Sequence, residues 1–123
     1  MPDKHELTFL DTAYVYALVN TRDEWHQAAL SWQEKLEQEQ RGLITTELIL
    51  VEIADGLASI RFRSQAAEVI AALQSSPLVE VVAISSKLLT LALNLYRQRD
   101  DKEWGLTDCF SFVVMRERGL RNL

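Results

Sequence analysis

With 123 residues, 48% of them apolar and 25% charged, the chain suits one domain over residues 1–123 with a core of its own, and excludes two ordinary domains. The formal charge of −5 argues against broad electrostatic binding of a polyanion, so nucleic-acid chemistry would need a local device such as a bound cation or a basic partner. A lone cysteine, Cys109, excludes an intramolecular disulfide framework; with no secretory-type apolar stretch at the start and no run of roughly eighteen apolar residues, the expectation is a cytoplasmic chain away from the membrane.

Strand-like and helix-like patterns alternate, with no linker and no repeat. Leu7-Thr8-Phe9-Leu10 is a short apolar run that predicts a buried strand, and Asp11-Thr12 then opens a helix, one of the two near its cap. Asn20 to Asp23 punctuates. Residues 24–39 predict a polar helix with Trp25, Ala28, Ala29, Trp32 and Leu36 on one face. Leu43-Ile44-Thr45, after Gly42, predicts a second strand, followed by a strongly apolar helix over residues 47–60. Another amphipathic helix over residues 64–73 is closed by Ser75-Ser76-Pro77, and the β-branched run over residues 79–84 predicts a third strand. Ser85 or Ser86 then caps a helix running to about Arg99; a charged loop leads to Thr107, which caps a last helix ending near Arg118 and Gly119. Residues 120–123 are placed to begin a fourth strand. Alternating strands and helices imply a parallel sheet flanked by helices, and ligands bind such sheets at the carboxyl ends of the strands.

The candidate chemistry lies in scattered acids. Asp11 directly follows the first strand, so it reads either as a helix cap favoured by the helix dipole or as a metal ligand at the sheet's carboxyl edge. Glu52 interrupts Leu48-Ile49-Leu50-Val51 and Ile53-Ala54; a carboxylate on so apolar a helix must reach water, a partner or a metal. It could also lie on an exposed edge beside Asp55, a fallback ligand. Asp108 opens an apolar helix and again reads as a first-turn acid or a ligand, while Asp101 sits in a charged loop where solvated acids are common. Carboxylates suit hard cations such as Mg²⁺ or Mn²⁺, which keep several waters. His5 and His26 lie away from these acids in sequence, His26 on a helix surface, and Cys109 reads as packed rather than reactive. There is no phosphate-binding glycine loop and no nucleophile elbow.

Three segments carry a family resemblance. Phe9-Leu10-Asp11-Thr12, Thr45-Thr46-Glu47 through Val51-Glu52-Ile53, and the sixteen positions from Asp101 to Arg116 resemble, in this order, the signatures of PIN-domain ribonucleases, especially the VapC-like toxins of toxin–antitoxin pairs. The resemblance implies a PIN-like α/β fold, a parallel sheet with helices on both faces. It implies an Mg²⁺- or Mn²⁺-dependent endoribonuclease that hydrolyses RNA phosphodiesters with a metal-activated water, leaving a 5′-phosphate and a 3′-hydroxyl. Asp11, Glu52 and Asp108 match the family's first three acids, as catalytic and metal-holding residues. Asp101 matches a recurrent acid of one branch, and Thr12 and Thr107 would hydrogen-bond the site or its waters. The basic residues Lys102, Arg116 and Arg118 read as solvated surface charge or as contacts to RNA backbone. The family's later strand and fourth acid have no counterpart here, so the expectation is a fold truncated at its C-terminal strand, whose second metal position lacks its acid while three carboxylates still suffice for one ion.

The implied partners are RNA, a protein antitoxin and a second copy of the chain. The alternative is a catalytically weak or inactive module acting through an antitoxin or homodimer, with Tyr14, Tyr16, Leu18 and Trp25 either forming a groove for a partner helix or packing into the core. Phosphatase and receiver chemistry is disfavoured, because Ala13 stands where a phosphatase of the haloacid-dehalogenase type needs a second aspartate and no acidic pair follows the first strand.

Overall fold

The computed structural model describes residues 7–120. In chain order the elements are β1 (Thr8–Phe9), α1 (Thr12–Val19), α2 (His26–Glu39), β2 (Leu43–Thr46), α3 (Glu47–Gly56), α4 (Ile60–Ser75), β3 (Val79–Val82), α5 (Ser86–Gln98) and α6 (Leu106–Glu117). The three described strands form a parallel sheet in the order β1-β2-β3, with Thr8 opposite Leu43 and Leu43 opposite Val79. Parallel neighbours need crossovers, and right-handed crossovers in one direction put α1 to α4 on the same face. The contacts of α1 with α2, α3 and α4 agree with that placement. Successive residues of a strand point to opposite faces, and Ile44 and Thr45 are both fully buried. The central strand is therefore covered on both sides, and the three strands are flanked by six helices as expected.

The core gathers Phe9, Leu10 and Ile44 from the strands, Val15, Ile49, Leu50 and Ile53 from α1 and α3, and Cys109, Phe110 and Val114 from α6. Cys109 has no exposed surface, and burial pushes its thiol up from 9.0, helped by the neighbouring Asp108 charge. It is packed and unreactive, as its apolar setting predicts. At the far end of α6, Arg118 donates two hydrogen bonds to Glu80 of β3, at 2.7 and 2.5 Å.

The structure departs from the sequence-based expectation in four places. The apolar helix does not run to Ile60: α3 ends at Gly56, and Ile60, 96% exposed, opens α4. The apolar periodicity ran across the break because residues 57–59 contain neither proline nor glycine. Trp25 and Trp32 do not join Ala29 and Leu36 in the core; they are 65% and 43% exposed. The last helix is capped by Gly105 rather than Thr107, which falls within its first turn. His26 is partly buried, with Nδ1 2.7 Å from the Ala17 carbonyl oxygen; that oxygen can only accept, so Nδ1 carries the proton. The fourth strand over residues 120–123 and His5 fall largely outside the described residues.

Candidate metal centre

The carboxyl edge of the sheet is tied together by side chains. The Thr45 hydroxyl of β2 donates to the Leu10 carbonyl beyond β1, at 3.1 Å. Thr46 caps α3 by accepting from the Ile49 amide. Glu47, first residue of α3, reaches across to accept from the Ile84 amide beyond β3, at 2.7 Å. These bonds hold the strand ends in register where α1 and α3 begin.

Asp11 stands on this edge as the N-cap of α1, exposed, with one carboxylate oxygen accepting from the Thr12 amide at 2.7 Å. The helix-cap reading of Asp11 is thus what the geometry shows, and its second oxygen has no partner among the described residues. It faces a cleft of about 280 Å³ lined also by Ala13, Tyr14, Trp32 and Leu36. Beside it, Thr12 is 4% exposed, and its hydroxyl is the one buried side-chain polar atom without a partner among the described residues. A buried hydroxyl costs free energy unless something bonds it, so the spot calls for a water or a ligand.

Glu52 lies half-buried on α3, and no side-chain hydrogen bond occupies its carboxylate among the described residues. Its backbone carbonyl accepts from the Tyr16 hydroxyl of α1, at 2.9 Å. Burial, then the Glu52 and Asp55 charges, push the Tyr16 phenol above 10.0, so it stays a donor. Asp108 is exposed at the third position of α6, with one oxygen accepting from the Gly105 amide at 3.0 Å. Thr107 gives its carbonyl to the Ser111 hydroxyl. The Glu52-bearing α3 packs against both α1 and α6, the helices that carry the other two acids. The carboxylates themselves do not close into a cage: among the described residues no three His, Cys, Asp or Glu side chains are gathered to hold a metal ion.

The remaining candidates are placed differently. Asp101 is held by Arg99 through two bonds, at 3.0 and 3.2 Å, which keep its carboxyl below the usual range. Asp55 is exposed near the end of α3. Lys102 and Arg116 are exposed, whereas Arg118 is engaged by Glu80. Three features escaped the sequence reading. They are the Tyr16–Glu52 bond, the Glu47 tie and the cleft that Trp32 shares with Asp11. Gly56, a glycine in a helical pattern, was the available signal for the first.

The donor chemistry fits a small hard cation. Among the described residues, Asp11 and Asp108 each keep a free carboxylate oxygen, Glu52 is unpaired, and the Thr12 hydroxyl is orphaned. Mg²⁺ binds through one or two carboxylates and several waters, so an open arrangement suits it better than a closed protein cage.

Comparison with known proteins bears on the family and the fold. The PIN domain family profile matches residues 8–123. In two strains of Mycobacterium tuberculosis, a protein named 23S rRNA-specific endonuclease VapC20 is 30% identical over 117 residues, covering 94% of this chain and 86% of the relative. The crystal structure of Mycobacterium tuberculosis VapC20, called there a sarcin-ricin loop cleaving toxin, superposes with a TM-score of 0.76 at 28% identity, covering 93% of this chain and 84% of that one. A family match over nearly the whole chain, together with a relative and a structure of the same kind, means that this chain belongs to the PIN domain family, on its VapC-like branch.

Proposed function

We propose that this protein is a metal-dependent endoribonuclease, the toxin of a toxin–antitoxin pair. The observation that carries the reading is Asp11 at the strand-to-helix junction beside the orphaned, buried Thr12 hydroxyl. Asp11, Glu52 and Asp108 would hold Mg²⁺ or Mn²⁺. When bound, the ion would supply a more acidic water and positive charge at the scissile phosphate. Asp11 and Asp108 each bring one oxygen already oriented by a backbone amide, so less freedom is lost when they bind. The Thr12 hydroxyl would hold a water of the site, and the half-buried setting of Glu52 would limit bulk solvent. Hydrolysis breaks the bond to the 3′ oxygen, giving a 5′-phosphate and a 3′-hydroxyl. Among the described residues Lys102 and Arg116 make no ion pair and would touch RNA backbone; Arg118 would have to leave Glu80 to join them. The relative's named target is 23S rRNA, so ribosomal RNA is the first substrate to try.

The test is cleavage of ribosomal RNA with Mg²⁺ or Mn²⁺, wild type against Asp11→Asn. The expected outcome is a rate loss of at least ~10²-fold in the variant, in line with removal of a group that stabilises transition-state charge. Equal cleavage by both proteins would overturn the assignment.

The second reading, a binding module with weak or no catalysis, draws on an apolar groove of about 320 Å³ between α1, α2, α4 and the sheet. Tyr14, Leu18, Leu36, Val69, Leu73 and Leu78 line it. Tyr16 turns to α3 instead and Trp25 stands in solvent, so neither contributes as the sequence had suggested. An amphipathic antitoxin segment would suit this groove. It serves both readings, and uptake of Mg²⁺ favours the first. Sedimentation would read the homodimer that the family resemblance implies.

A further inference from the structure

We infer that Tyr16, seated over Gly56, is a positioning residue that fixes the Glu52-bearing helix against the Asp11-bearing one; the inference rests on the metal-dependent reading above. α1 and α3 meet mainly through apolar side chains such as Val15, Ile49 and Ile53. Apolar contacts are non-directional and tolerate small slides along the helix axes. The bond from the Tyr16 hydroxyl to the Glu52 carbonyl is directional, at 2.9 Å, and it falls on the very residue whose carboxylate the site needs.

Gly56 makes the seat. A Cβ built there would stand 1.8 Å from the Tyr16 hydroxyl oxygen and 2.4 Å from the ring carbon bearing it. Gly56 is not among the positive-φ residues, so its backbone does not call for glycine. Alanine would be the better helix former at this position. What glycine supplies is room, one turn beyond Glu52, for the phenol to reach the carbonyl. Tyr16 lies on the short helix that Asp11 caps, so the bond joins Glu52 to Asp11 through little more than one turn of α1.

The experiment is Mn²⁺ titration by calorimetry on wild type, Tyr16→Phe, Glu52→Gln, the double variant and Asp11→Asn, each confirmed folded by thermal unfolding. Tyr16→Phe removes one oxygen and is expected to weaken Mn²⁺ by about tenfold, the lower range for loss of a group that orients a ligand. In the Glu52→Gln background the same change is expected to add nothing, because Tyr16 acts through Glu52. Gly56→Ala, if it folds, should match Tyr16→Phe. Wild-type affinity in Tyr16→Phe, or a full additional loss in the double variant, overturns the positioning role. Asp11→Asn separates the failures. If it loses Mn²⁺ while Tyr16→Phe keeps it, only the positioning role falls. If it binds like wild type, or wild type binds none, the metal reading falls and takes this inference with it.

Discussion

Gln40 ends α2 in the left-handed region, φ 49°, the one non-glycine residue with positive φ among those described. Its amide bonds to Glu37 and that of Arg41 to Leu36, the paired bonds of a helix end built for glycine. Gly119 fills the same role after α6, φ 64°, with matching bonds from Gly119 to Arg116 and Leu120 to Met115. A side chain in this region costs about 1–2 kcal/mol, while glycine's extra unfolded freedom returns roughly half. Gln40→Gly is therefore expected to stabilise the fold by about 0.5–1 kcal/mol and raise Tm by a few degrees, read by thermal unfolding. Other residues were legible to different depths. Glu52 stood out because a carboxylate breaks an apolar run, whereas Thr12 was singled out only through the family resemblance, because a threonine after a strand is ordinary until its surroundings are known.

Among the elements, α6 and β3 are joined by Arg118 and Glu80, whose side chains are 38% and 43% exposed. The guanidinium bonds hold Glu80 below its ordinary 4.5. A carboxylate lowered by folding contributes stability above its unfolded value and loses it as pH falls through the folded one. At this exposure the gain is at most about 1 kcal/mol, and salt reduces it. Arg118→Ala should thus lower the urea midpoint slightly at pH 7, with the gap to wild type closing below pH 4; a gap constant with pH would show that Arg118 acts by packing. The strands and most helices were legible because each strand is a short β-branched or apolar run ended by a polar cap. The break after Gly56 and the exposed tryptophans were not, since both depend on which face of a helix finds a neighbour.

Over the whole molecule, the order β1-β2-β3 and its helical cover follow from alternation and handedness, and the family's motifs lay in the sequence. The candidate site was legible as a set of acids and not as a geometry. How far apart three carboxylates stand is fixed by packing between α1, α3 and α6, which no spacing along the chain encodes. The buried Cys109 also offers a clock for the molecule as a whole. It is the chain's lone thiol, so a thiol reagent can mark it only when α6 lifts away from the core. Labelling of the native protein should be slow and accelerate with urea in parallel with global unfolding. A fast, urea-independent rate would mean that α6 opens alone, taking Asp108 with it, and labelling with and without Mg²⁺ would then test whether the ion slows that opening.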